Sequence, residues 1–549
     1  MEKVTDAIRT IRRNILHGAL FLAALFLFFG MSDGPGYPEA GSSTSDEIRV
    51  GLKSFFSGKQ SIVIENSELE LGYCDGREFV RETILFSENG IRVTAEKGSF
   101  FSVSETFSLK RAEELAAKLT GAGAKAYAVM LFSGTAGIYL PVTENGISEK
   151  YARDLCEATA KQCGVTLTGG AEKSAYLLRL EADERILFAD GAQGKYPQFA
   201  AIKKDKDGIP AVNLGSRSYR GRIEIGRYGG ASTVTAVNVV PLEEYLYGVV
   251  PCEMPAGWHM EALKAQAVCA RSYALVKAGY HAETDIKRGF RMSDTVQSQV
   301  YGGITYEHER SNAAVNATRG QTLCYENRTV AGYYFAASGG HTENIEDVWG
   351  ISVPYLQGVP DIYEKNPSQL PWSVTLSRKE LERILLSAGE NVGTIKKVMQ
   401  EITTSSGRVY SMRIIGSLAG AGLRTEALRN VLELASTKFK VISPDMIPDR
   451  VTVQGISGAK ETTIHDCYIM SGDGRIQSAD GLTEQYIVLS ADNLTNFPRY
   501  APGEGEYLFA GMGHGHGVGM SQSGANGMAE QGFTYKEILE YYFTGISVR

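Results

Sequence analysis

The stretch "VVPCEMPAGWHMEALKAQAVCARSYAL" (residues 249–275) sets one carboxylate, Glu253, among residues that offer it little polar company. Val249, Val250, Pro251 and Cys252 precede it, Met254 and Pro255 follow it, and a helix of small apolar residues lies beyond. A carboxyl group in such surroundings retains its proton more readily, because apolar neighbours disfavour the charged form, and it can then act as a general acid. The plainer reading is a carboxylate that caps the turn after it. Cys252 beside it raises a third, a thiol nucleophile. Lys264 and Arg271 are seven apart on the helix, within about 20° of each other around its axis. They either orient a ligand or pair with Glu243, Glu244 or Glu261 and tie the domain together.

Other stretches downstream carry polar side chains in glycine-rich settings. "RMSDTVQSQVYGG" holds Asp294, Gln297 and Tyr301 in a loop running into a short helix. "AASGGHTENIEDVWG" follows two expected strands and presents Ser338, Gly339, Gly340, His341 and Thr342, and "PYLQGVPD" comes next. "GMGHGHGVGMSQSGANGMAEQG" contains His514, His516, Ser521 and Gln522 ahead of a helix. Glycines around small polar residues let backbone amides approach a ligand closely. Two histidines at i, i+2 raise the question of zinc, which takes three or four protein ligands. The remainder would have to come from His341 or Cys252, with no supporting spacing, so no metal or other cofactor is expected. His516 is expected to bond to backbone or ligand, and His514 to lie on the loop surface.

These residues need elements to hold them. The helix from about Met260 to Ala278 is so rich in Ala, Val, Leu and Cys that it must be buried nearly all round. For residues 211–549 the expectation is an α+β region with helices packed on antiparallel strands around a groove, the fold that the family resemblance given below implies. Earlier, residues 48–97 read as short strands and turns, and 171–210 as a strand-bearing connector. Between them, "SFFSVSETFSLKRAEELAAKLTGAGAKAYAVM" and "GIYLPVTENGISEKYARDLCEATAKQCGVTL" each read strand, amphipathic helix, strand. Ala112, Leu115, Ala116 and Leu119 share one helical face, and the two halves predict a βαβ–βαβ, ferredoxin-like module over 98–170.

The chain has 549 residues, 43% hydrophobic and 22% charged, enough for several cores. Its net charge is −7, with no basic run outside the N-terminus. Nucleic-acid binding would leave a footprint of clustered Lys and Arg, so a nucleic-acid partner is set aside. Seven cysteines without CxxC spacing predict free thiols rather than a disulfide scaffold. At the start, a basic tail (1–14) precedes seventeen mostly apolar residues, 15–31, and then a Gly/Pro/Ser-rich linker, 32–47. Basic residues before the apolar run predict a single membrane-spanning anchor with the bulk of the chain exported. A cleaved signal is the alternative, although no A-x-A-like site follows the run.

Taken together and in order, "EEYLYGVVPCEMPAGWHMEALKAQAVCARSYAL", "DTVQSQVYGG", "ASGGHTENIEDVWG" and "GHGVGMSQSGANGMAEQG" resemble the SpoIID/LytB family over about residues 211–549. The 98–170 module in turn resembles the SPOR peptidoglycan-binding repeat, whose mark is an Ala/Leu-rich helix, a glycine, then a strand. The first resemblance implies a lytic transglycosylase acting on peptidoglycan glycan strands, especially strands stripped of stem peptides. It also implies a role in septal remodelling during sporulation engulfment, with a cell-wall amidase of the SpoIIP kind as membrane partner. The family's catalytic glutamate falls on Glu253. Its other motifs make Lys264, Arg271, Asp294, Gln297, Tyr301, Ser338, His341, His516, Ser521 and Gln522 candidates for holding sugar groups or shaping the cleft. The contrasting expectation is a wall-binding amidase enhancer in which Glu253 performs no chemistry.

Overall fold

The computed structural model describes residues 47–549 except 76–77, 98, 142–148, 169–174, 184, 192–193, 205–207, 280–288, 365–370 and much of 444–504. The expected anchor at 15–31 and nearly all of the linker lie outside the described residues. Among those described, no helix is long and apolar enough to cross a membrane. The class is mixed α+β, as expected. The six described cysteines form no disulfide.

Two compact units divide the described residues: a larger one (47–333, 533–536, 546–549) and a smaller one (334–532, 537–545). In the larger, one seven-stranded sheet runs in the order Met292–Ser293, Glu47–Gly51, Thr235–Pro241, Arg222–Gly226, Gln198–Ala201, Glu68–Asp75, Glu78–Phe86. Its pairs are antiparallel except that between Glu47–Gly51 and Met292–Ser293. A second sheet runs Ser61–Ile64, Ile91–Ala95, Leu177–Ala182, Arg185–Asp190, Tyr127–Met130, Ala136–Pro141, Phe100–Ser102.

The boundaries drawn at 97, 170 and 210 therefore fall inside sheets. Glu47–Gly51 pairs with Thr235–Pro241, Glu47 opposite Pro241 and Gly51 opposite Val237, so the first strand helps build the sheet that leads to Glu253. Residues 98–170 contain strand, helix, strand, strand, helix, and an antiparallel bridge joins Val103 to Leu167. The Leu109–Gly121 helix is capped by Ser108 and buries Ala112, Leu115, Ala116 and Leu119, the face read from the sequence. Its neighbour strand Tyr127–Met130 pairs in parallel with Arg185–Asp190, which extends the sheet beyond residue 170. Alternation in a sequence gives a strand's period and leaves its partner open.

Strand Thr235–Pro241 runs directly into the Leu242–Glu253 helix, which packs with the Met260–Gly279 and Glu309–Ala317 helices. The middle helix is buried nearly all round, as its composition requires. Strand Leu323–Tyr325 pairs with Ser547–Val548, so the larger unit is completed by residues far along the chain.

The smaller unit is built on a parallel pair, Tyr334–Phe335 with Met520–Ser521, reinforced by bridges from Ala337 to His514 and Glu343 to Val518. A hydrophobic core beside it contains Leu381, Leu385, Met412, Ile414, Phe439 and Phe509. It lies among the sheets of Pro371–Ser377, Glu506–Met512 and Phe439–Ile442 and of Ile395–Thr403, Val409–Gly416 and Gly420–Arg424.

Candidate functional site

Pro255 holds the preceding residue in the extended region, and Met254 has φ −135° and ψ 130°. The Leu242–Glu253 helix therefore stops at Glu253, which is its last residue. The half-buried carboxylate accepts the Val300 N–H at 2.7 Å. That amide belongs to the "DTVQSQVYGG" stretch, so the structure brings the first two motifs together. A helix C-terminus is a poor place for negative charge, whereas the amide favours it, and the two influences oppose each other. Burial, and then the charge of Glu253, push the Tyr245 and Tyr273 hydroxyls up. The same two causes push the Cys252 thiol up to about 11, so at neutral pH it is protonated and a poor nucleophile.

The motif's cations serve other acids. Lys264 pairs with Glu261 at 2.6 Å and lies over the Tyr535 ring. Arg271, 1% exposed at its side chain, makes a two-pronged pair with Glu243 (2.7 and 2.8 Å) and donates to the Gln321 and Val315 carbonyls. Tyr301 is buried against Tyr219 and Tyr245 and donates to Asn238 Oδ1 at 2.7 Å. Asp294 is buried and accepts the Ser54 N–H at 3.1 Å; burial pushes its carboxyl up. Gln297 is exposed, with Lys53 Nζ 3.4 Å from its side-chain oxygen.

In the smaller unit the strand pair unites the other two motifs. Ser338 and Ser521 are fully buried and Gln522 nearly so. Ser338 Oγ accepts the Gly340 N–H at 2.9 Å, and Ser521 Oγ caps the Gln522–Glu530 helix through the Gly524 N–H at 3.1 Å. His341 Nδ1 lies 2.6 Å from the Thr342 carbonyl. His516 sits between Phe335 and Trp349, ring centroids 5.5 and 5.2 Å away, and its Nδ1 accepts the Val518 N–H at 3.0 Å. Part of the ring surface stays accessible, but the protein packed around it pushes its pKa down to about 4. It is neutral at neutral pH and bound to backbone. His514 is exposed, as its loop position suggests.

The sequence reading missed the charged groups beneath these loops. Glu364 accepts the N–H groups of Ser338 and Gly339, the latter at 2.9 Å, and the Ser521 hydroxyl at 2.8 Å. Arg408 is fully buried and donates to the Ser338 carbonyl at 3.0 Å and the Gly515 carbonyl at 3.4 Å. Burial pushes its pKa down to about 10, and it stays charged at neutral pH. Gly517, at φ +89°, passes so near that a Cβ there would lie 2.7 Å from Arg408 Cζ. Two acids three apart after a proline, Asp361 and Glu364, were the available signal; Arg408 stands in a hairpin with none.

Comparison with known proteins gives the family. Residues 230–325 match the family model described as Stage II sporulation protein, and the chain belongs to the SpoIID/LytB family. It is 30% identical over 344 residues to a Bacillus subtilis (strain 168) protein named amidase enhancer, 61% of this chain and 45% of that one. It is 31% identical over 320 residues to an uncharacterized Brachyspira hyodysenteriae protein, covering 58% of this chain and 68% of the relative. With stage II sporulation protein D of B. subtilis it shares 30% over 216 residues, 37% of this chain and 61% of the relative. The chain thus spans less than half of the amidase enhancer's length.

Proposed function

We propose that the chain is an exported cell-wall enzyme, a lytic transglycosylase that cuts the bond between N-acetylmuramic acid and N-acetylglucosamine in denuded glycan strands. Glu253 protonates the oxygen of that bond as it breaks. It then accepts the proton of the muramoyl 6-hydroxyl as that oxygen attacks its own anomeric carbon, giving a 1,6-anhydro end. Hydrolysis usually needs two carboxylates, one of them to activate water or attack the sugar. Here the nucleophile belongs to the substrate, and intramolecular attack gains up to roughly 7–11 kcal/mol from proximity in favourable cases.

The observation that carries this reading is the setting of Glu253. It is half-buried at a helix end beside a protonated thiol and close enough to raise Tyr245 and Tyr273, while Glu243 and Glu261 are paired with Arg271 and Lys264. Those two cations are then framework for the wall that carries Glu253. The order of the short strands (127–130, 136–141, 100–102) and the Val103–Leu167 bridge support a ferredoxin-like, SPOR-type accessory module that binds glycan without cutting it. The apolar run at 15–31 anchors the chain to the cell membrane.

The name of the B. subtilis relative favours a second reading, an amidase-enhancing wall binder working beside a cell-wall amidase. Product chemistry separates the two. Purified denuded strands should yield anhydro ends with wild type, and Glu253→Gln should lose about 10²–10⁴-fold in rate, toward the upper end because one group serves as acid and base. Cys252→Ala should remain active. Reducing ends would indicate a hydrolase, and normal cutting by Glu253→Gln would reject the mechanism.

A further inference from the structure

Glu364 receives donors from both glycine-bearing stretches at once: two consecutive backbone amides, Ser338 and Gly339, and the hydroxyl of Ser521. Asp361 lies beside it, 2% exposed, with Oδ1 accepting the Tyr542 hydroxyl at 2.8 Å. Its Oδ2 is buried without a hydrogen bond of normal geometry, although the Ser521 and Ser338 hydroxyls are near enough to favour its charge. Gly524 has no side chain to interfere: a Cβ there would lie 2.3 Å from Asp361 Oδ1. Asp361 is buried, and both that burial and the neighbouring Glu364 carboxylate favour its protonated form. Arg408 and Lys438 face Glu364, while Tyr541 and Tyr542 face Asp361.

We propose that Glu364 is a positioning residue that fixes the Ser338–Gly340 and Ser521 backbone for glycan binding, with Asp361 as the proton-bearing partner that leaves Glu364 negative. This rests on the reading that these loops contact glycan. A negative Glu364 can satisfy all three donors, since a carboxylate accepts on both oxygens. A second charge at Asp361 would push the pair apart and loosen the loops. Burial first, then Glu364, push the Asp361 pKa up to about 6, so the loosening sets in as pH rises through that value.

The test is steady-state cleavage of amidase-treated peptidoglycan strands by the intact chain, from pH 5 to 8, with melting temperatures in parallel. In Glu364→Gln one oxygen becomes a donor facing donors, which should raise KM about tenfold while kcat stays within about threefold. Asp361→Asn should keep the low acid-pH KM and abolish its rise between about pH 5 and 7. A Glu364 that only supports folding would lower the melting temperature and the active fraction, leaving KM and its pH profile those of wild type; that result overturns the proposal. If wild type binds strands without cutting, dissociation constants take the place of KM with the same ordering. If it neither binds nor cuts, the glycan reading fails first and this one with it.

Discussion

Asp361 and His516 pull stability in opposite directions along the pH axis. Asp361 holds its proton up to about 6 in the folded chain, against an ordinary 3.8. Its contribution is fully present below about pH 4 and is lost as pH rises through 6. His516 is depressed to about 4 from 6.5, so its contribution is present above 6.5 and lost as pH falls through 4. Between 4 and 6 the two nearly offset each other. Asp361→Asn removes one side of that balance. The melting-temperature difference, variant minus wild type, should therefore climb as pH goes from 4 to 6.5, by an amount reflecting on the order of 3 kcal/mol. A difference that stays flat across that range would mean Asp361 titrates at its ordinary value.

At the scale of elements, the Gln522–Glu530 helix sits where it does because its first turn has no side chain at Gly524. Gly524→Ala would drive a methyl into the Asp361 carboxylate and the Tyr542 hydroxyl, 2.1 Å from the latter. Overpacking of this kind costs about 1–3 kcal/mol, and denaturant titration should show that loss with a lowered midpoint. Helices were the most legible part of the sequence. The apolar faces of 109–121 and 260–279 follow from local spacing alone, and Pro255 marks where the Glu253 helix must end. Glu253 stood out by its apolar context, while its catalytic role is what the family resemblance implies. Glu364 and Arg408 were not, because their role is to satisfy backbone groups of loops distant in sequence, which no local period records. Arg271 was read either as a ligand contact or as a partner of Glu243, and it pairs with Glu243 and donates to the Gln321 and Val315 carbonyls; Tyr301, a candidate sugar contact, donates its hydroxyl to Asn238.

At the scale of the whole molecule, pairing between distant strands decides what can be cut away. Residues 47–97 supply partners for Thr235–Pro241 and Gln198–Ala201, so a chain beginning at 98 should lack a cooperative melting transition that one beginning at 47 retains. A clean two-state melt of the shorter chain would support a domain boundary at 97. The pairing of Leu323–Tyr325 with Ser547–Val548 bears on time rather than strength. Translated or exported from its N-terminus, the chain makes Leu323 long before Val548 arrives, so the larger unit closes last and folding is slow where contacts are so non-local. Pulse-labelled hydrogen exchange should find Leu381 and Phe509 protected before Leu323. Glu253 lies in the larger unit, so on the proposed function its site stays inert until that last pairing has formed.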